Sequence, residues 1–95
     1  LYISVDVRDR GALMAQIDEA RQWAGSPVRA LIHGAGVLED RRIEDKADGH
    51  FAKVFSTKVA GLRALLAATV SDDLKALVLF SSVSGRFGRL GQSDY

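Results

Sequence analysis

The apolar positions alternate between short continuous runs and helical spacing. Leu1-Tyr2-Ile3-Ser4-Val5 is strand-forming by composition, with Asp6-Val7 at its carboxyl end. Arg8-Asp9 reads as a turn, Asp9 being placed to cap a helix. From Arg10 to Ala24, Leu13, Met14, Ile17, Ala20 and Trp23/Ala24 recur at helical spacing, with Asp18, Glu19, Arg21 and Gln22 between them. Gly25-Ser26-Pro27 stops that helix. Val28 to Ile32 predicts a second strand and His33-Gly34-Ala35-Gly36 its exit. After the charged loop Leu38 to Asp45, a long helix is expected from about Lys46 to Thr69. Its apolar stripe is Phe51, Val54, Phe55, Val59, Leu62, Leu65 and Leu66. Ser71-Asp72-Asp73 ends it. Ala76 to Phe80, uncharged and rich in strand formers, predicts a strand buried on both faces. Ser81-Ser82 stands where that strand emerges. Gly85, Gly88 and Gly91 then make a loop of special backbone angles that leads to Tyr95.

Strand, helix, strand, helix, strand predicts an α/β fold built from right-handed βαβ units around a parallel sheet. Ligands of such sheets bind outside the carboxyl ends of the strands, which draws attention to residues 33–36 and 81–82. Ninety-five residues suffice for one small domain. With a net charge of +1 and no basic stripe, no nucleic-acid partner is expected; Arg41-Arg42 and Arg86/Arg89 read as solvated surface. The chain has no cysteine, so neither a disulfide framework nor thiol chemistry is expected, and no metal site is expected either. No apolar run approaches the roughly 20 residues of a membrane helix, so no membrane partner is expected. A cytoplasmic origin is expected, the chain reading as a piece cut from a larger intracellular protein.

Lys58 is the most informative residue on periodicity alone. It lies four after Val54, three after Phe55 and four before Leu62, inside the stripe that faces the sheet. Lysine is almost never fully buried unless paired. Taken singly, Lys58 reads as a stripe-edge lysine whose stem is buried and whose ammonium is in water. Ser82 reads singly as a hydroxyl satisfying strand-end backbone, and Tyr95 as a surface tyrosine. Together they suit one chemistry. A ketone that accepts hydride becomes an alkoxide and must be protonated. Tyrosine is a weak acid, of pKa about 10, and a nearby ammonium favours its phenolate. A serine hydroxyl can donate to the same oxygen as charge develops.

The run FSSVSGRFGRLGQSDY, with a serine thirteen residues before a tyrosine across a glycine loop, resembles the active-site segment of the short-chain dehydrogenase/reductase family. Its form is similar to that in ketoreductase domains of polyketide and polyunsaturated fatty acid synthases. The resemblance covers essentially the whole chain and implies part of a Rossmann-type doubly wound parallel sheet, strands 3–5 with two intervening helices. Residues 1–95 would be the central fragment of one NADP-binding ketoreductase domain. In the strand order 3-2-1-4-5-6, strands 1 and 2 and the glycine-rich pyrophosphate turn would lie outside it, and no GxGxxG occurs here. The resemblance implies catalytic roles for Lys58, Ser82 and Tyr95. The lysine would stand 24 residues before the serine, as 58 and 82 do. It implies NADPH as cofactor, held by Asp6, Val7, His33, Gly34, Ala35 and Gly36 together with Lys58 and Tyr95. His33 reads better as a strand-end cap than as a proton carrier. Leu38-Glu39-Asp40 matches the LxD pattern of B-type ketoreductases, in which Leu38 and Asp40 would orient substrate. Phe87 stands eight before Tyr95, where the other class carries tryptophan. A D-3-hydroxyacyl product is therefore expected.

Three functions remain open on these residues. One is an NADPH-dependent β-ketoacyl reductase acting on an acyl carrier protein-bound substrate among other synthase domains. The chain alone would be inactive. Another is a Rossmann-like scaffolding module that has lost activity. The third is a stand-alone short-chain dehydrogenase, against which Lys58 argues because asparagine usually stands there in that group. A glycine-rich turn upstream and an asparagine four after Tyr95 would favour the first.

Overall fold

The computed structural model describes residues 1–95. Helix α1 spans Arg10–Ala24, as the periodicity predicts. The Asp9 carboxylate accepts the Ala12 N–H at 3.0 Å, and Gly25 closes the helix in the left-handed region at φ 62°. Strand β1 is Ala30–His33, starting two residues later than Val28. A 3₁₀ turn, Ile43–Asp45, interrupts the charged loop. Helix α2 is Asp48–Ala68; at its start the Ala47 N–H donates to His50 Nδ1 at 3.2 Å. Strand β2 is Ala76–Leu79, and a four-residue helical turn, α3, spans Ser84–Phe87.

β1 and β2 pair in parallel, Ala30 opposite Ala76 and His33 opposite Leu79. The α2 connection is therefore a crossover, and the two strands end side by side at one sheet edge.

Leu1–Val5 is not a strand here. The sheet has two strands, β1 beside β2, and residues 1–6 have no ladder partner. Strand-forming composition yields a strand only where a neighbour accepts the backbone hydrogen bonds. β2 is not buried on both faces either: Leu77, Val78 and Leu79 are each close to half exposed. A parallel strand is covered only when layers pack on both sides of a sheet, and two strands present too little surface to hold them.

The predicted stripe on α2 also needs correction. Its buried seam is Val54, Thr57, Gly61, Ala64 and Ala68, spaced three and four residues apart. Of the predicted stripe, Val54 alone belongs to it. Phe51 and Phe55 lie outside, half exposed and stacked on each other at 5.8 Å. The seam is small because α2 approaches α1 and the amino-terminal segment closely. A methyl group at Gly61 would sit 2.8 Å from Val7 Cγ2 and 3.4 Å from His33 Cε1.

Arg21 on α1 fastens the far end of this packing. Its guanidinium pairs with Asp72, which is 3% exposed and also accepts the Val28 N–H at 3.2 Å.

Candidate active site

The parallel crossover brings the exits of β1 and β2 together, and a cleft of about 450 Å³ opens at that edge. Gly34, Gly36, Val37 and Leu38 line it from the β1 side, Phe80 and Ser81 from the β2 side, with Lys58 and Tyr95 completing the wall. A smaller adjoining recess is lined by Lys58, Phe80, Ser81, Ser82, Gly85 and Tyr95. Lys58, Ser82 and Tyr95 thus meet at one place.

Lys58 reaches it from the middle of α2. Its Nζ donates to the Phe80 carbonyl at 3.0 Å, just where β2 ends. His33 orients the same residue from behind. The His33 ring is 4% exposed, and its Nε2 lies 3.0 Å from the Lys58 carbonyl oxygen. This ring caps the strand against α2 and turns away from the cleft.

Ser82 is half-buried, and its Oγ accepts the Ser84 N–H at 3.1 Å, opening α3. The backbone-satisfying role and the cleft position coexist. The glycine loop is only partly special: Gly88 and Gly91 have φ of 72° and 81°, whereas Gly85 lies within α3.

Of the remaining site candidates, Gly34, Gly36 and Leu38 share the cleft wall with Lys58 and Tyr95, and the others lie apart. Asp6 is tied to Arg8, whose Nε and Nη2 donate to its carboxylate at 3.0 and 2.7 Å. That hydrogen bonding, with the Arg8 backbone N–H, holds the Asp6 carboxyl down at about 2. Val7 packs its side chain on Gly61. Ala35 is not among the residues lining the cleft, and Phe87 is largely exposed with the Arg86 guanidinium 5.5 Å from its ring. Leu38 faces the cleft, while Asp40 accepts two hydrogen bonds from the Gln92 side-chain amide at 3.0 and 3.1 Å.

Gly34 and Gly36 leave bare backbone at the β1 exit, a surface against which a flat nicotinamide ring could lie. A side chain at Gly36 would begin 3.4 Å from Lys58 Cε, and one at Gly34 3.7 Å from Phe80 Cδ2. The residues present fit the nicotinamide end of such a cofactor. A pyrophosphate-binding glycine turn is not among them.

Sequence reasoning passed over Lys46, Gln92 and Asp94. All three join the loop after β1 to the loop that carries Tyr95. Asp94 is adjacent to Tyr95, which could have drawn attention to it. A lysine at the end of a charged loop carries no such signal.

The KR domain family pattern matches residues 1–95. The chain is 43% identical over 95 residues to one of the polyunsaturated fatty acid synthase proteins of Thraustochytrium sp., covering 100% of this chain and 3% of that protein. It superposes with TM-score 0.93 and 32% identity on an N-terminal ketoreductase from the macrolactin assembly line, covering 100% of this chain and 19% of that one. Carveol dehydrogenase from Mycobacterium avium, solved in complex with NAD, matches with TM-score 0.85 and 26% identity over 98% of this chain and 35% of its own. The chain spans only a small part of the length of each. These likenesses make the fold a Rossmann-like α/β arrangement, and the chain belongs to the ketoreductase (KR) domain family.

Proposed function

We propose that residues 1–95 form the central part of one NADPH-binding ketoreductase domain that reduces a β-ketoacyl thioester carried by an acyl carrier protein. The observation that carries this reading is the meeting of Lys58, Ser82 and Tyr95 at the shared carboxyl edge of β1 and β2. Family membership and the synthase relative support the substrate class. The NAD complex of carveol dehydrogenase supports a nicotinamide cofactor, and the preference for NADPH follows from the ketoreductase resemblance.

Gly34 and Gly36 would hold the nicotinamide end against bare backbone, with Ala35 and the backbone of His33 shaping the turn between β1 and the cleft. Asp6 and Val7 would border its adenine end. When bound, NADPH would supply the hydride for the ketone carbon and leave as NADP⁺. As that C–H bond forms, the C=O π pair moves to oxygen. The Ser82 hydroxyl donates to this oxygen, and the Tyr95 hydroxyl transfers its proton there, giving the alcohol. Lys58 faces the resulting phenolate with its ammonium, and solvent returns the proton. Lys58 Nζ now spends one donor on the Phe80 carbonyl; an ammonium has three, so two remain for the reacting groups.

Leu38-Glu39-Asp40 would guide the acyl chain so that hydride reaches one face and the D-3-hydroxy product results. The location of Leu38 in the cleft wall supports this. The test is NADPH oxidation by the intact parent synthase with a model β-ketothioester, followed by chiral analysis. Oxidation with a predominantly D product is expected. A predominantly L product contradicts the orienting role of Leu38 and Asp40, and the absence of oxidation contradicts the reductase.

A further inference from the structure

Lys46 and Asp94 form an ion pair that the proposed chemistry does not use. Lys46 Nζ lies 2.7 Å from Asp94 Oδ2, and the two side chains are 5% and 2% exposed. The same ammonium donates to the Glu39 and Gly91 carbonyls, each at 3.1 Å. Two of its three donors go to those carbonyls; the contact with Asp94 is one of charge, and Asp94 Oδ2, though buried, accepts no hydrogen bond. Burial alone would raise the Asp94 carboxyl, but the adjacent Lys46 ammonium, with the backbone amides of Asp94 and Tyr95, outweighs it and holds the carboxyl below its ordinary value.

Burying two charges is costly, and their attraction often does no more than offset the loss of water. Simple stability is thus a weak reason for such a pair, and its best-attested use is to fix the register of two elements. The elements here are specific. Glu39 lies within Leu38-Glu39-Asp40, Gly91 and Asp94 lie on the Tyr95 loop, and Lys46 itself leads into the helix that carries Lys58. Three further bonds follow the same seam: Arg41 N–H to the Gly91 carbonyl at 3.0 Å and two from the Gln92 amide to Asp40. Gly91 meets Arg41 in the left-handed region at φ 81°, where any side chain would be strained.

We infer that Lys46 and Asp94 are a positioning pair that locks the Tyr95 loop against the Leu38–Asp40 loop, setting the proton donor and the acyl-chain guide in one register. The inference rests on the reading of Tyr95 as proton donor. A variant with one charge removed leaves the other buried alone, so the pair is best replaced whole, by Lys46→Met with Asp94→Leu, in the intact parent synthase. The readouts are kcat, KM for a β-ketothioester, NADPH affinity and chiral purity of the product. With the pair replaced, NADPH affinity should stay within about twofold while kcat falls about 10- to 100-fold, the scale of an ångström-sized misplacement, and the minor isomer increases. On a Tyr95→Phe background the same replacement should cost less than about threefold, because residues acting through one group do not add. If the double variant does not fold, Lys46→Met with Asp94→Asn, which also removes both charges and keeps the shape of the Asp94 side chain, is read in the same way. A folded variant with kcat and chiral purity within about twofold of the parent overturns the inference, as does a full additive loss on the Tyr95→Phe background. Near-normal turnover of Tyr95→Phe by itself overturns the role of Tyr95 and takes the pair's role with it.

Discussion

Gly61 has no side chain, and two neighbours of the site pack against its bare backbone. Val7 and the His33 ring both rest on it, and the His33 ring in turn meets the Lys58 carbonyl. A methyl group there would lie 2.8 Å from a branched side chain that has little rotamer freedom. We expect Gly61→Ala to destabilise the intact ketoreductase by roughly 1–3 kcal/mol, the usual cost of overpacking. Denaturant unfolding measures this, and an unchanged midpoint would contradict the packing described. His33 shows how far single residues were legible. Its strand-end capping was readable from its place after an apolar run. That it caps by meeting the backbone of Lys58, 25 residues on, required the crossover geometry. Lys46 was illegible for a stronger reason: its partner Asp94 is remote in sequence, and a lysine in a charged loop looks solvated until the fold buries it.

Among the elements, α1 was legible to the residue because its limits are set by local chemistry, the Asp9 cap and the left-handed Gly25. The seam of α2 was not. Large apolar residues marked a stripe, whereas the helix buries Thr57, Gly61, Ala64 and Ala68, because close helix approach selects small residues. The Arg21–Asp72 pair holds the ends of these two helices and the entry to β1 together, and it should carry a pH signature. Arg21's hydrogen bonds, working against burial and aided by the Val28 N–H, keep the Asp72 carboxyl below its ordinary value. The native state therefore takes up this proton less readily than the unfolded chain. The pair's contribution is complete above the unfolded value of about 4 and is lost as pH falls through the lower native value. In the intact ketoreductase, Asp72→Asn should lower the denaturation midpoint near neutrality and lessen its further drop as pH falls below about 4. An acid limb as steep as the parent's would contradict this assignment.

At the scale of the whole molecule, the 95 residues are extended. The radius of gyration is 15.4 Å, against about 12 Å for a compact domain of this length. Only 11 residues are buried, too few to offset the chain entropy of folding. Leu1–Val5 lacks a ladder partner and β2 is half open. We expect the chain expressed alone to unfold without a sharp cooperative transition and to oxidise no NADPH with a β-ketothioester. A steep monomeric melt, or turnover, would contradict that expectation. If the shared strand edge delivers the proton to the reduced ketone, Tyr95→Phe in the intact parent removes the donor and leaves the pocket. The measurement pairs NADPH binding with turnover on a β-ketothioester. The account predicts an affinity close to the parent's and turnover lower by roughly 10²-fold or more, since the pocket remains and the proton donor is gone; near-normal turnover would contradict it.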